Sequence, residues 1–548
     1  MGRVGSIVAK ANQKISVKMA ATLLAGSTLI SSLLGLYRDR ILNSLYLPGP
    51  ENVGYPVGID AYTAAFTIPD FMFFILVSGA LSVTFIPVFN QRLVTGNKKS
   101  AWELSTSLIN LMALATFVTS ILIIIFADQL VYLVSPGLSE SGHGLAVSMM
   151  RVIAVNPFLF AIATVIASMQ QAVGRFAFYT LAPVIYNIGI ITGALFFTNG
   201  LSIFGWQIID GGIMGVALGV VFGSILQLLV SSIGLIGLGF DYQFKIYWRN
   251  KGFRRVLRLL PPRSLDQGID YVNGLVEMNL ASRMANGTMR IYQQASTLSL
   301  MPINLVGVAI STAAFPKMTE RLSQGRPDLF RLELQSVLRI IIWLSLPIAM
   351  ITFATRGYVV SFIKNGGEQT IANLLGILVV VILFRSIYFI AARSFYAQQD
   401  TKTPLYISIV AIGLNIILAI WFTMSLKFGV YGLALAQSIV AVIEIVMLFA
   451  VMSRRIEGLF DRLFWKSVGR MIIATLLTGL VSYGLVKLFP FQNTDNSVLQ
   501  TLPKFGLITF LSLVAYTLFS RVLQLSEATP VIKTVNRLLF GRINSMRK

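Results

Sequence analysis

A chain of 548 residues with 55% hydrophobic and only 12% charged side chains carries about half the charge of a soluble domain, where roughly a quarter of residues ionise, and its mean hydropathy of +0.76 points to lipid. The net charge of +22 does not signal nucleic acid, because the basic residues fall in short connectors between apolar runs and not on one folded face. The absence of cysteine excludes disulfides, thiolate metal sites and a cysteine nucleophile.

Apolar runs of about 20 residues recur along the whole chain, each long enough for a helix to cross the hydrocarbon layer. Backbone inside lipid must satisfy its own hydrogen bonds, so these runs predict helices. A basic stretch (Arg3, Lys10, Lys14, Lys18) leads into the first run, which is long, contains Arg38-Asp39-Arg40 and lacks a small-x-small cleavage site. It therefore reads as a retained span and not as a signal peptide. Division at the polar breaks gives spans near 17–45, 60–90, 102–133, 145–171, 177–198, 213–239, 262–287, 289–316, 332–355, 371–397, 402–425, 428–453, 467–488 and 501–523, about fourteen in all. The connectors alternate. The N-terminus, 92–99, Arg175, 245–263, 317–331, 393–402, 454–470 and 521–548 are basic, whereas the other set of connectors, which includes 46–58, 135–144 and 199–212, is almost free of Lys and Arg. The first set holds about 32 basic residues and the second about six, the positive-inside bias of a correctly threaded helical protein. The expectation is an all-α protein of an inner, cytoplasmic-type membrane, multi-pass, with both termini in the cytoplasm.

Two stretches echo each other at a spacing of about 229 residues, as in duplicated transporter folds. Ser82-Val-Thr-Phe-Ile-Pro87 with Arg92-Leu93 matches Ser311-Thr-Ala-Ala-Phe-Pro316 with Arg321-Leu322. Gln170-Gln171 precedes Asn187 as Gln398-Gln399 precedes Asn415, and Gly215-Val-Ala-Leu finds its counterpart in Gly432-Leu-Ala-Leu. An even number of spans separates equivalent helices, so two six-helix lobes should be related by a pseudo-twofold along the membrane normal, with substrate between them. The expected division is 1–240 for the N-terminal lobe, 241–455 for the C-terminal lobe, and 456–548 for an appended helix pair with a basic tail.

Several motifs fall in order along spans one to twelve. They are Leu34-Gly35-Leu36-Tyr37-Arg38-Asp39, Asp60-Ala61, Ile68-Pro69, Gly79-Ala80-Leu81-Ser82, Phe85-Ile86-Pro87, Ser135-Pro136-Gly137, Pro183 with Asn187, Gly307-Val308-Ala309, and Phe395-Tyr396-Ala397-Gln398-Gln399-Asp400-Thr401-Lys402-Thr403-Pro404. In these the chain resembles the MurJ (MviN) family of lipid II flippases, within the superfamily of multidrug, oligosaccharidyl-lipid and polysaccharide exporters. The resemblance implies fourteen helices, two lobes around a central cavity, and alternating access that moves a lipid-linked peptidoglycan precursor to the outer leaflet for cell-wall biogenesis and cell shape. It also implies a groove for the lipid tail on the last two helices. The departures lie among cavity charges: Ser32, Phe73, Phe74, Ser78, Thr297 and Leu300 stand at or near places where the family usually has arginine or glutamate.

A charge at mid-membrane costs several kcal/mol unless it meets water or a partner, so intramembrane charges are functional candidates. Asp266, Asp270, Asn273 and Glu277 follow at helical spacing along one face of the seventh span, with Arg283 beyond them. They are candidates for sodium or proton coupling or for contact with cargo, against a structural network with Arg385, Arg393 or Arg151. Asp400 is a further candidate cation ligand, with helix capping before Pro404 as the competing reading. For a pyrophosphate, arginine's planar fork is the natural partner, which nominates Arg38, Arg40, Arg151, Arg385 and Arg393. Arg38 and Asp60 match the family positions. Arg40 and Arg393 lie nearer a membrane face, where snorkelling to headgroups competes. Pro69 with Gly79 and Pro302 with Gly307 are candidate hinges in the second and eighth spans, against a role in close helix packing.

A single histidine, His143, has no second histidine for a metal and no nucleophile beside it, and there is no phosphate-cradling loop. The expectation is a transporter, not an enzyme, with no cofactor and no metal, driven by a sodium or proton gradient or by membrane potential. Expected partners are a lipid-linked saccharide, membrane lipids and cell-wall synthesis enzymes. The competing functions are a flippase or exporter for a different lipid-linked saccharide or amphiphile, and a non-transporting scaffold for cell-wall synthesis.

Overall fold

The computed structural model describes residues 12, 17–47, 58–203, 206–209, 211–492, 495 and 497–529. Among them the fold is helical apart from connectors and one antiparallel pair of short strands, β1 (Leu201–Ile203) and β2 (Trp206–Ile209). Twelve described helices are long and apolar enough to cross a membrane. Two more, α1 (Val17–Tyr46) and α10 (Lys251–Ser282), stand where the first and seventh spans were expected.

The chain forms two compact units, Met1–Arg290 and Ile291–Lys548. The first contains α1, α2 (Gly58–Phe73), α3 (Gly79–Val94), α4 (Lys98–Ile125), α5 (Ala127–Val134), α6 (Glu140–Ile153), α7 (Asn156–Val173), α8 (Ala177–Phe196), α9 (Met214–Ile233) and α10. The helix α11 (Thr288–Ile303) begins at its end. The second holds the rest of α11, α12 (Ala309–Ser323), α13 (Pro327–Ala354), α14 (Arg356–Ser361), α15 (Gln369–Ala397), α16 (Lys402–Ile420), α17 (Val430–Arg455), α18 (Arg462–Leu488) and α19 (Val498–Val522). The compact division thus falls later than residue 240, because α10 packs along α3 and the segment before it. The last two helices are built into the second unit: the Trp343 indole donates to Ser520 Oγ at 3.1 Å, and the Tyr516 hydroxyl donates to the Trp343 carbonyl at 2.9 Å.

Local chemistry sets the helix ends. Asn97 and Asn250 accept N–H groups from the first turns of α4 and α10, and Gly174, at φ 82°, ends α7 in the left-handed conformation that favours glycine. The helices α8 and α9 pack backbone to backbone. A Cβ added at Gly193 would lie 2.4 Å from the Gly219 Cα, and one at Gly189 would lie 2.2 Å from the Gly223 Cα. Small residues four apart let two backbones touch where lipid offers no hydrophobic drive to association.

The repeat is visible as matching irregularities. Phe74–Ser78 joins α2 to α3 as a π-helical segment, and Asn304–Val308 joins α11 to α12 in the same way, each downstream of a proline. Gly307 lies inside the second segment, where a Cβ would come within 2.6 Å of the Ser386 Cα, so close packing is an observed role for it. The surroundings of Gly79 and the side chains of its neighbours in 78–84 lie outside the described residues.

Connectors gather at alternate ends of each unit. In the first, Asn12 donates to the carbonyls of Ile233 and Ile236, as Arg175 does to those of Ile236 and Gly237. At the opposite end, Asn279 donates to the Leu133 carbonyl and Ser282 Oγ accepts from the Gly137 N–H. In the second unit, Arg331 donates to the Glu457 carbonyl and Arg455 pairs with Asp400 at one end, while Tyr358 hydrogen-bonds the Phe489 carbonyl at the other.

Candidate functional site

The residues that draw most intramembrane charge together are on α1, α2 and the start of α11, all within the first unit. Asp39, 6% exposed, receives Arg38 through Nε at 3.2 Å and Nη2 at 3.0 Å, and Arg290 through Nη2 at 3.1 Å. The Arg290 Nε donates to Asn43 Oδ1 at 2.9 Å. Asp60, 3% exposed, does not present its carboxylate to an open cavity as expected. Its Oδ2 accepts the Gly287 N–H at 2.5 Å and its Oδ1 the Arg290 N–H at 3.0 Å, so it caps the opening of α11. Helix N-termini leave amide donors unpaired and carry positive partial charge, which a carboxylate satisfies on both counts.

Arg38 also donates through Nη1 to Asn187 Oδ1 at 3.0 Å. The Asn187 amide is itself held, donating to Ser31 Oγ at 3.2 Å and to the Pro183 carbonyl at 3.1 Å. The guanidinium is thus oriented by two neighbours while a quarter of its side chain stays exposed, 25%. One turn of helix beyond Phe66, Asp70 has no hydrogen bond or ion pair among the described residues, and it stands within electrostatic reach of Arg38, Tyr186 and Tyr271. An unpaired carboxylate in such a place is suited to taking a proton or a cation.

The remaining arginines do not join this cluster. Arg151 is exposed and reaches the Ile124 carbonyl at 3.3 Å, and Arg283 is exposed and holds Asn279 Oδ1 at 3.1 Å. Arg40 is buried at 9% exposure, which does not suit a side chain snorkelling to headgroups. In the second unit, Arg385 pairs with Glu444 at 2.8 Å and lies over the Tyr388 ring at 4.7 Å, with Ser408 donating to the same carboxylate at 2.9 Å. Arg393 bonds Ser311 Oγ, the residue that opens the second copy of the repeat.

Of the acidic face on α10, Glu277 is buried and accepts the Asn273 amide at 3.0 Å. The side chains of Asp266 and Asp270 lie outside the described residues. Asp400 takes the capping role: it accepts the N–H groups of Lys402 and Thr403 at 3.0 Å, the Thr403 hydroxyl at 2.6 Å, and Arg455 at 2.7 Å. The Thr403 hydroxyl, followed by the backbone donors and Arg455, holds its carboxyl well below the ordinary value of 3.8.

Two participants were not singled out from sequence. Arg290 sits at the edge of its span, where an arginine looks like a headgroup anchor. Asp70 follows Pro69 inside a motif, and its charge within the second span was the available signal. At 73 and 74, where the resemblance implies arginines, the structure holds an aromatic cluster, with Phe74 and Phe71 against Tyr271 at 4.6 and 6.1 Å and Phe73 against Phe160 at 5.5 Å.

The sequence profile of the family described as "Lipid II flippase MurJ" matches residues 53–502. A protein of Borreliella burgdorferi is 24% identical over 438 residues, covering 78% of this chain and 82% of that relative. One of Thermotoga maritima is 24% identical over 516 residues, covering 92% and 96%. Both are named "Probable lipid II flippase MurJ". Among solved structures, "Lipid II flippase MurJ, inward closed conformation" aligns at a TM-score of 0.71 and 25% identity over 92% of this chain and 99% of that one. An inward-facing multidrug resistance transporter of the MATE family aligns at a TM-score of 0.65 and 16% identity over 81% and 99%, a likeness of fold alone.

Proposed function

We propose, since this chain belongs to the family of the lipid II flippase MurJ, that it carries lipid II from the cytoplasmic to the outer leaflet of a bacterial inner membrane by alternating access, with both termini cytoplasmic. It is a multi-pass membrane transporter and not a catalytic enzyme. The observation that carries the reading is the family match over residues 53–502, which runs through both units. Within the first unit, Arg38 is the group to which we assign the cargo pyrophosphate, because it is oriented by Asp39 and Asn187 and still partly exposed. The π-helical segments 74–78 and 304–308 supply local give in the two corresponding helices. Coupling to sodium or protons is assigned to Asp70 and to the acids of α10, Asp266, Asp270 and Glu277.

The test is rescue of a strain depleted of its own lipid II flippase. The intact chain should restore growth, and Arg38→Ala should abolish it. Failure of the intact, membrane-inserted protein to rescue overturns the peptidoglycan assignment. Asp270→Asn and Asp70→Asn should change the dependence of rescue on sodium or pH, and an unchanged ion profile returns these acids to structure.

A second reading, a flippase for a different lipid-linked saccharide, is favoured by the aromatic cluster around Phe73, Phe74 and Tyr271 in the place of family charges. Rescue by the intact chain rejects it.

A further inference from the structure

The charged end of the first unit holds a second site that the transport reading does not use. The end of α3, the first turn of α4 and the connector 245–251 enclose a cavity of about 960 Å³ whose lining includes Arg92, Lys99, Lys245, Arg249 and Lys251 against one acid, Glu103. Lys99, Lys245, Arg249 and Lys251 are exposed and form no ion pair among the described residues. The first turns of α4 and α10, capped by Asn97 and Asn250, both open into this cavity and add the positive ends of two helices.

A second cavity of about 910 Å³ adjoins it and shares Lys245 and Ile246. Its character is opposite: Ile109, Leu114, Phe117, Phe158, Ile162 and Phe244 line it, between α4, α7 and the connector. Phe117 and Phe158 meet edge-on at 5.8 Å in this lining. Phe244 is 93% exposed, and Tyr242 and Trp248 on the same connector are also exposed, the composition of a segment lying at a membrane–water boundary. The connector is strapped down. Asn110 donates to the carbonyls of Gln243 and Lys245 at 2.9 and 3.0 Å, Tyr242 donates to Asn110 Oδ1 at 2.6 Å, and the Tyr247 N–H reaches Ser107 Oγ at 2.8 Å. The two cavities are therefore held in fixed register.

We propose that this pair of cavities is a binding site for an anionic glycerophospholipid, its phosphate among Lys99, Lys245, Arg249 and Lys251 and an acyl chain in the apolar cavity between α4 and α7. A soluble anion would use the basic cavity and leave the apolar one empty; a neutral lipid would do the reverse. A molecule with both parts, joined at Lys245, matches the charge and the apolar surface together. The proposal is independent of the cargo assignment.

The experiment is native mass spectrometry of the full chain in detergent with phosphatidylglycerol or phosphatidylcholine of identical acyl chains. The intact protein should retain one phosphatidylglycerol at concentrations where phosphatidylcholine is lost. The double substitution Lys245→Gln with Arg249→Gln, both exposed, should weaken retention about thirtyfold for two surface charges. Ala113→Phe, which fills the apolar cavity and leaves every charge, should weaken it as well. The groove variant keeps the test open if the charge variant fails to fold. Equal retention of the two lipids, or wild-type retention by both variants, overturns the proposal. So does displacement by free glycerol phosphate, which would make it a simple anion site, or by substoichiometric undecaprenyl diphosphate, which would make it a cargo site.

Discussion

Asp60→Ala isolates the cap at the start of α11. The wild-type carboxylate is 3% exposed and accepts two backbone N–H groups, from Gly287 at 2.5 Å and Arg290 at 3.0 Å. Neither donor has a ready acceptor within the first turn of its helix. Alanine leaves both buried and unpaired, at about 1–3 kcal/mol each, so the expected loss is roughly 2–6 kcal/mol, above the 1 kcal/mol typical of an exposed cap. Asp60→Asn keeps one acceptor oxygen and removes the charge that faces the helix N-terminus, and should cost about 1–2 kcal/mol. Denaturant titration of the purified protein in detergent, followed by tryptophan fluorescence, measures both. The order alanine worse than asparagine worse than wild type is the prediction. Two variants within about 0.5 kcal/mol of wild type would show that the cap carries no weight, and an asparagine variant as damaged as alanine would show that charge, not acceptor count, is what matters.

Gly219→Leu places a branched side chain against the Gly193 backbone, where even a Cβ lies 2.5 Å from the Cα. Thermal unfolding should show a loss of about 3 kcal/mol or more, larger than for Gly413→Leu, a helical glycine with nothing near its Cβ. Arg385→Met takes the arginine from Glu444, whose side chain is 5% exposed, and should destabilise by about 3 kcal/mol, whereas Arg385→Met with Glu444→Leu should recover most of it. A double variant as unstable as the single one rejects the pair as an energetic unit. Because the folded Asp400 carboxyl titrates below its ordinary 3.8, its stabilisation is complete above about pH 4 and fades as pH falls through the lower folded value. Asp400→Asn keeps one capping oxygen but loses the charge that pairs with Arg455, so it should be less stable than wild type at pH 7 by about 0.5–1 kcal/mol, and the gap should narrow below about pH 4. A gap that widens on acidification reverses the sign and refutes the assignment.

The spans, their alternating connectors and the duplication were all legible, because each follows from a property repeated many times over: apolar length, lysine and arginine placement, and motif spacing. The π-helical segments at matching places in α2–α3 and α11–α12 show how deep that repeat runs. Individual charges were less legible. Asp60 looked like a cavity acid, and its partners lie 227 and 230 residues away on a helix whose first turn the sequence marks only by Gly287 and Thr288. Arg151 and Arg283 were nominated by residue type alone, and side-chain direction, which sequence does not give, turned them to Ile124 and Asn279. The basic stretch 245–251 marks topology in the sequence, and only the fold brings it to one cavity with residues 91–103.

Within one unit, then, the same economy of charge yields two different outcomes. Asp39 is satisfied from two sides by Arg38 and Arg290, and Asp60 by two amides, so the acids that match the family or flank its arginine are committed to holding α1, α2 and the opening of α11 together. Buried pairs of this kind tolerate isosteric apolar replacement of both members better than loss of one, which makes them fasteners more than binding groups. Arg38 differs because, although Asp39 holds its Nε and Nη2 and Asn187 its Nη1, a quarter of the side chain remains reachable. A group oriented by neighbours and only partly desolvated loses little conformational entropy on meeting a phosphate. That combination, and not the mere presence of an arginine in a span, separates Arg38 from Arg40, Arg151 and Arg283 as the residue on which cargo recognition in this unit should depend.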